Sequence, residues 1–384
     1  MRVAFISTRG IPNNYGGFEQ FAEYVSIGLV QCGYEVVIYS PHFHSYKEST
    51  YKGVKIKHIY SPEKWLRSSI GSFFYDFLSL RDALKRGKFD IIYVAGYTSI
   101  VPAYIWFNIK SIKYPIVITN MDGLEYKRTK FNKWIQKFLF WEEQMTIKHS
   151  HYLIADNMGI HDYYKEKYGK ESKYLAYGAN IYNNYNEAYL NRYNLIPNSY
   201  YLLIARLEPE NNIERIIQGY LNCKDRNKQL IIVGNTNISH GKYLIKRYGG
   251  NDNIRFLGGI YDFEKINSIR YFSYAYFHGH SVGGTNPSLL EAMASKCFII
   301  AHDNIFNKSI LKENALYFRN TNDISEMLNN INNYGWNYKE KFVANNLECI
   351  KKEYSWEKLI NEYEKYFNWL LEQNKEKERA YSDS

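Results

Sequence analysis

Short runs of consecutive apolar residues alternate along the chain with longer stretches whose apolar positions recur every three or four residues. In the first half the runs are RVAFIS (2–7), EVVIYS (35–40), VKIKHIYS (54–61), DIIYVAG (90–96), PIVITN (115–120) and HYLIAD (151–156). Helical patterns lie between them: FEQFAEYVSIGLVQCG (18–33), a stretch near 72–87, and a long one near 130–148. Continuous apolar strands separated by helices predict parallel sheets covered on both faces. The alternation restarts after residue 198 with YYLLIAR (200–206), QLIIVGN (229–235), NIRFLGG (253–259), YAYFHG (274–279), CFIIAHD (297–303) and ALYFR (315–319). The polar stretch 177–199, rich in Asn and Tyr, reads as the connection. The expectation is an α/β chain of two doubly wound domains, 1–180 and 181–355, facing each other across a cleft. Ligands of such sheets bind beyond the carboxyl ends of the strands.

Length and composition fit that reading. A chain of 384 residues, 45% of them hydrophobic, can fill two cores. No apolar run reaches the roughly 18 residues of a membrane span. The opening MRVAFISTRGIP is a short strand and a glycine turn, without the apolar core and cleavage site of a leader. Cys32, Cys223, Cys297 and Cys349 lie far apart, which points to neither a zinc site nor a disulfide framework. A cytoplasmic location is therefore expected. The net charge of +10 is uneven: residues 1–180 carry 24 basic and 16 acidic side chains, the remainder 25 and 23. A basic first half suits nucleic acid, anionic lipid or a phosphorylated substrate.

Two strand ends in the second half carry the chemistry. In HGHSVGGTNPSLLEAMA (278–294), Gly283 and Gly284 open a helix, Thr285 and Asn286 are cap candidates, and Pro287 suits the first helical position. Free N–H groups and the helix dipole there favour an anion, so the stretch reads as a diphosphate cradle. Glu291, one turn inside, is placed to take hydrogen bonds from sugar hydroxyls. The alternative is an ordinary strand–turn–helix corner. In LLIARLEPENNIERIIQGY, Arg206 ends a strand and offers a charged fork suited to phosphate oxygens. The alternative is a surface pair with Glu208 or Glu210.

Together these pieces resemble the family 4 glycosyltransferases of the GT-B fold, whose two domains are Rossmann-like. That family's signature is a strand-end Arg with a Lys five residues on, then a Glu-x7-Glu motif before EAMA. Here Asn211 stands in place of the Lys and Gly283 in place of the first Glu. The variants resemble bacterial rhamnosyltransferases of cell-surface polysaccharide and capsule assembly. A 6-deoxy sugar has one hydroxyl fewer, consistent with a lost carboxylate, though His278 or His280 could equally compensate. YSWEKLINEYEKYF (354–367) resembles the family's last helix, so a helix at about 356–375 is expected to cross back to the first domain. The resemblance implies a nucleotide-sugar donor, best matched by dTDP-rhamnose, and a saccharide acceptor on a lipid diphosphate carrier. It implies retention at the anomeric carbon and an oxocarbenium-like transition state, with the departing phosphate oxygen taking the acceptor proton.

The first half supplies the acceptor side. Gly16 and Gly17 precede the first helix, and the family's corresponding loop approaches the donor. In VITNMDGLEYKRTKF (117–131), Asp122 falls where many relatives carry a His beside the reacting carbon. It is the leading candidate to orient or deprotonate the acceptor hydroxyl. Glu125 is the second candidate, and Asp156, another strand-end acid, the third. The alternative is that Asp122 caps a turn and Glu125 pairs with Lys127 or Arg128. Along 127–148, Lys130, Lys133 and Lys137 share helical spacing, and Phe131, Trp134, Ile135 and Phe138 share another face. The aromatic face is expected to cover the first sheet, leaving the lysines for an anionic membrane surface. No Asp-x-Asp pair sits at a strand end, so neither metal nor other cofactor is expected. A nucleotide-sugar epimerase and a non-enzymatic nucleic-acid binder are the rivals. YSWEKL and PSLLEAMA argue against the first, and the lack of a reader motif against the second.

Overall fold

The computed structural model of the protein describes residues 1–13, 16–66, 68–224 and 226–382. They form two compact units. The first comprises Met1–Tyr126, Lys133–Tyr177 and the chain from Trp356 onward; the second comprises Gly178–Ser355 and the short segment Lys127–Asn132.

The first unit runs β1 (Arg2–Ile6), α1 (Gly17–Gln31), β2 (Glu35–Pro41), β3 (Thr50–Tyr51), β4 (Val54–Ile59), α2 (Ser68–Arg86), β5 (Ile91–Val94) and α3 (Val101–Trp106). It continues through β6 (Ile116–Asn120), α4 (Lys133–His149), β7 (Tyr152–Ala155), α5 (Met158–Tyr168) and β8 (Lys173–Tyr174). The strand order is β3-β4-β2-β1-β5-β6-β7-β8, and only β3 is antiparallel to its neighbour. β5 and β6 are buried throughout, which is why their sequences are apolar without alternation. The chain winds outward from β1 through β2 and β4, then returns to β5 on the other side, making β1/β5 a switch point.

The second unit runs α6 (Ala188–Asn191), β9 (Tyr200–Ile204), α7 (Ile213–Leu221), β10 (Gln229–Val233), α8 (Ser239–Tyr248), β11 (Ile254–Gly258) and α9 (Phe263–Tyr271). It continues through β12 (Ala275–His278), α10 (Pro287–Ala294), β13 (Ile299–His302), α11 (Ile305–Leu311), β14 (Leu316–Phe318), α12 (Thr321–Asn330) and α13 (Trp336–Glu353). Its strands, all parallel, are ordered β11-β10-β9-β12-β13-β14. α7 buries Ile213, Ile216, Ile217 and Tyr220, one helical face, into a core with Leu203, Ile232 and Phe277. The switch point lies between β9 and β12, where a doubly wound sheet binds its ligand.

The last helix, α14 (Trp356–Ser382), counts with the first unit. Trp356 stacks on Tyr24 of α1 with ring centres 4.4 Å apart, and Tyr363 meets Phe21 at 5.4 Å. At Gly28 any Cβ would run into the Ile360 side chain, so glycine sets how closely α1 and α14 approach.

Two expectations for the long helix are corrected. α4 begins at Lys133, so Lys130 does not share a helical stripe with Lys133 and Lys137. Lys130 instead belongs to the 127–132 segment of the second unit. The aromatic face of α4 is also not the covered one, although Lys133 and Lys137 are exposed. The helix buries Leu139, Glu142, Glu143, Thr146 and Ile147 and leaves Trp134, Phe138 and Trp141 exposed. The cause is tertiary: Glu143 accepts hydrogen bonds from the hydroxyls of Tyr163 (2.9 Å) and Tyr168 (2.7 Å), so its polar face is the inner one.

Candidate functional site

In the second unit, Arg206 stands just past β9 with its side chain exposed. Its guanidinium makes no ion pair among the described residues. The alternative partners are taken elsewhere. Arg128 Nη1 lies 3.4 Å from Glu210 Oε1, and Lys130 Nζ lies 3.9 Å from both Glu208 and Glu210. Asn211, at the position of the family's Lys, is buried and donates from Nδ2 to the Arg206 carbonyl at 2.7 Å. It closes the turn that carries Arg206. The neighbouring strand-end loop is stitched to this turn. Asn212 Nδ2 donates to the Gly279 carbonyl at 2.8 Å, and Ser281 donates to the Glu210 carbonyl from N (3.1 Å) and Oγ (2.7 Å). A Cβ at Gly279 would collide with the Asn211 carbonyl oxygen, so this close approach requires glycine.

The mouth of α10 is built as its sequence suggests. Asn286 Oδ1 caps the helix by accepting the Ser288 N–H at 2.9 Å, and Pro287 takes the first turn. The Asn286 carbonyl receives Leu289 N and Leu290 N, so these helical N–H groups are already used. Thr285 is buried beneath. The N–H groups of Gly283 and Gly284 donate to no group among the described residues, and open space surrounds the Cβ position of Gly283, whose φ is +130°. Glu291 is anchored: its Oε2 accepts from Arg270 Nη2 at 2.6 Å, and Arg270, nearly fully buried, also donates to Asn267 Oδ1 at 2.8 Å. His278, at the end of β12, is 1% exposed, and neither ring nitrogen has a hydrogen-bond partner among the described residues. Its ring stacks on His280 at 4.4 Å. Burial, with a smaller contribution from His302, pushes the His278 pKa down to about 3, so it is neutral at physiological pH. His280 is pushed down too, by burial first and then by His278, Arg206 and Arg128, which places both arginines within electrostatic reach of one imidazole.

The first unit groups its acids around tyrosines. Tyr97, buried, donates to the Gly123 carbonyl (3.2 Å) and accepts from the Glu125 N–H (3.1 Å), which fixes the loop after β6. Asp122 and the fully buried Asp156 both act on Tyr177, whose pKa is raised first by burial and then by these two charges. Asn120 Nδ2 reaches the same phenol at 3.5 Å. Asp122 and Asp156 thus both lie within electrostatic reach of one phenol, and Glu125 opens the short turn Glu125–Lys127. At α1, a carboxylate of the chain itself occupies the helix mouth. Glu19 is buried, accepts the Arg9 N–H at 3.0 Å, and fills the space where a Cβ on Gly16 would go. Gly17 is the first residue of the helix.

Among the described residues, no group of three or more His, Cys, Asp or Glu side chains could hold a metal ion. Sequence reasoning passed over Arg128 and Arg270 as site residues and offered His278 only as a stand-in for the carboxylate missing at Gly283. The basic run KRTK beside Asp122 was a signal for the first; the pairing of Arg270 and the burial of His278 are things no local pattern reveals.

Comparison with known proteins agrees with this architecture. Residues 195–344 match the family described as "Glycosyl transferases group 1", and residues 1–180 match a "Domain of unknown function (DUF1972)". An uncharacterized glycosyltransferase of Methanocaldococcus jannaschii is 29% identical over 184 residues. That match spans 44% of this chain and 44% of that relative, so less than half of the curated relative's length is covered. Among solved structures, sucrose-phosphate synthase of Thermosynechococcus elongatus superposes with a TM-score of 0.79 at 14% identity, covering 97% of this chain and 99% of that one. Anabaena HepE in complex with UDP and glucose gives 0.68 at 14% identity, covering 96% and 99%. The fold is that of the GT-B glycosyltransferases, and residues 195–344 carry a domain of the group 1 glycosyl transferases.

Proposed function

We propose that the protein moves a sugar from a nucleotide-sugar donor to a saccharide acceptor with retention at the anomeric carbon. Within that class we read it as a family 4 rhamnosyltransferase using dTDP-rhamnose. Its acceptor is carried on a lipid diphosphate during cell-surface polysaccharide assembly, at the inner face of the membrane. The observation that carries the donor reading is Arg206: an exposed guanidinium with no ion pair among the described residues, at the switch point of a group 1 glycosyltransferase domain. Two N–H groups, of Gly283 and Gly284, stand at the neighbouring strand end. HepE, of like fold, holds UDP and glucose.

In this reading the donor diphosphate is met by Arg206 and the glycine N–H groups, with Arg128 and Lys130 adding positive charge nearby. The reaction needs no metal, since the charge that develops on the leaving diphosphate is stabilised by fixed cations and dipoles. The bond from the anomeric carbon to the phosphate oxygen breaks, and the bond to the acceptor oxygen forms. The acceptor proton passes to the departing phosphate oxygen. Asp122 orients the acceptor hydroxyl, and Glu291, held by Arg270, stands one turn inside the mouth of α10 to meet the sugar. The rhamnose assignment rests on Gly283, where a carboxylate would serve a further hydroxyl.

The test is thermal stabilisation against a panel of nucleoside diphosphates and nucleotide sugars with EDTA present, since a ligand that binds only the folded state raises the melting point. A selective rise with dTDP and dTDP-rhamnose is expected. A larger rise with another nucleotide sugar would replace the donor; no rise with any member would remove the metal-free donor reading.

A further inference from the structure

The first unit carries a surface that the donor chemistry does not explain. The 3-10 turn ahead of α2, with α2, α3 and α4, turns large apolar side chains outward. Trp65 is 85% exposed, Trp106 75% and Trp134 81%, with Phe74, Phe138 and Trp141 also exposed. The helices are neighbours at this face: Phe73 meets Phe138 at 6.1 Å and Phe77 meets Trp106 at 6.1 Å. Trp134, Phe138 and Trp141 are spaced four and three apart, so they line one side of α4. Scattered exposed apolar residues are normal, but aromatics concentrated on adjoining helices mark an interaction surface.

The charges on the same helices identify the partner. α4 carries two acids, Glu142 and Glu143, and buries both, while Lys133, Lys137 and Lys148 are exposed. From Val101 to Lys113 there is no acid, and Lys110 and Lys113 are exposed. On α2, Asp76 is buried and Asp82 is paired with Lys57. The face therefore shows solvent tryptophan, phenylalanine and lysine, with its carboxylates turned inward or neutralised. Tryptophan favours the headgroup level of a bilayer, and lysines beside it attract anionic lipid. A second copy of the chain fits less well, because it would set lysines against lysines. No helix among the described residues is long and apolar enough to cross a membrane, so this is a surface that lies on lipid.

We propose that the α2–α3–α4 face docks the protein on an anionic phospholipid surface, through exposed tryptophans ringed by lysines. The proposal rests on the lipid-carrier reading only for its purpose; the face stands on its own residues. The test uses the whole chain with phosphatidylcholine vesicles, with and without phosphatidylglycerol. Co-sedimentation with the anionic vesicles is expected, weakened by salt, with a blue shift of tryptophan fluorescence. Trp106→Ser and Trp134→Ser should each lower the vesicle partition coefficient about tenfold and leave the melting point unchanged, since both side chains are exposed. A chain that stays in the supernatant, or binding that both replacements leave intact, overturns the proposal. So does a dimer in sedimentation equilibrium that Trp134→Ser dissolves, which would give the face to a second copy. Donor stabilisation is read separately. Its survival after failed vesicle binding removes only the docking, and its loss with vesicle binding intact removes only the donor reading.

Discussion

The two units treat charge in opposite ways. The second unit gathers cations and carboxylates at the β9 and β12 strand ends, pairs Arg128 with Glu210 and Arg270 with Glu291, and leaves Arg206 out. The first unit buries Asp156 beside Tyr177 and Glu143 beneath Tyr163 and Tyr168, leaves Asp122 half-buried, and puts aromatics and lysines outside on α4. One arrangement suits a small, highly charged ligand. The other suits a hydroxyl-bearing partner next to an apolar, anionic surface. Two doubly wound units in one chain thus differ least in topology and most in where they leave a charge unneutralised.

The largest effect expected in breaking this contrast is structural. Replacing Glu291 by Ala leaves Arg270 charged and buried, which costs about 3–5 kcal/mol; urea unfolding of Glu291→Ala should show it. An unchanged midpoint would mean that the ion pair is incidental to the fold. Next in size, Asp122→Asn should lower kcat about 100-fold, the range of a positioned acid or base, while donor stabilisation persists. Unaltered turnover would reduce Asp122 to a turn residue.

Smaller effects come from two buried titratable groups, one in each unit, with opposite signs. Glu142 is fully buried with no partner among the described residues for either carboxyl oxygen, and burial, then the charge of Asp76, raises its pKa to about 9. Folded Glu142 keeps its proton where the unfolded chain has lost it, so its contribution to stability falls as pH rises from about 4.5 to 9. Glu142→Gln should therefore raise the melting point at pH 8 and have little effect at pH 5. His278 works the other way. The unfolded chain protonates it near 6.5 while the folded unit resists down to about 3, so stability falls as pH drops through that window. His278→Gln should flatten the decline of the melting point below pH 6.5. Equal slopes in variant and parent would mean that water reaches these groups.

Much of this organisation was legible in the sequence. Apolar runs without alternation marked the parallel strands, because strands covered on both faces have no polar side to show. The glycine pair, cap and proline before PSLLEAMA marked the mouth of α10, because helix entry has local chemistry. α4 was misread for a physical reason. Periodicity separates two faces of a helix but does not say which one is buried, and there the choice falls to Glu143 and the tyrosines of α5. Arg270 and Glu291 lie 21 residues apart, on α9 and α10, and their pairing exists only in the folded unit. Asn211 stands where the resembled family has its Lys, and its side chain fastens the turn that presents Arg206.

The central claim is that Arg206 waits unpaired for a donor diphosphate. Isothermal titration of parent and Arg206→Ala, with the nucleoside diphosphate that stabilises most and with EDTA present, tests it directly. Losing a charge-assisted hydrogen bond worth about 1.5–3 kcal/mol should weaken binding by about 10- to 100-fold, with the fold intact by melting point. Equal affinity in the two proteins would contradict the account and place the anion elsewhere.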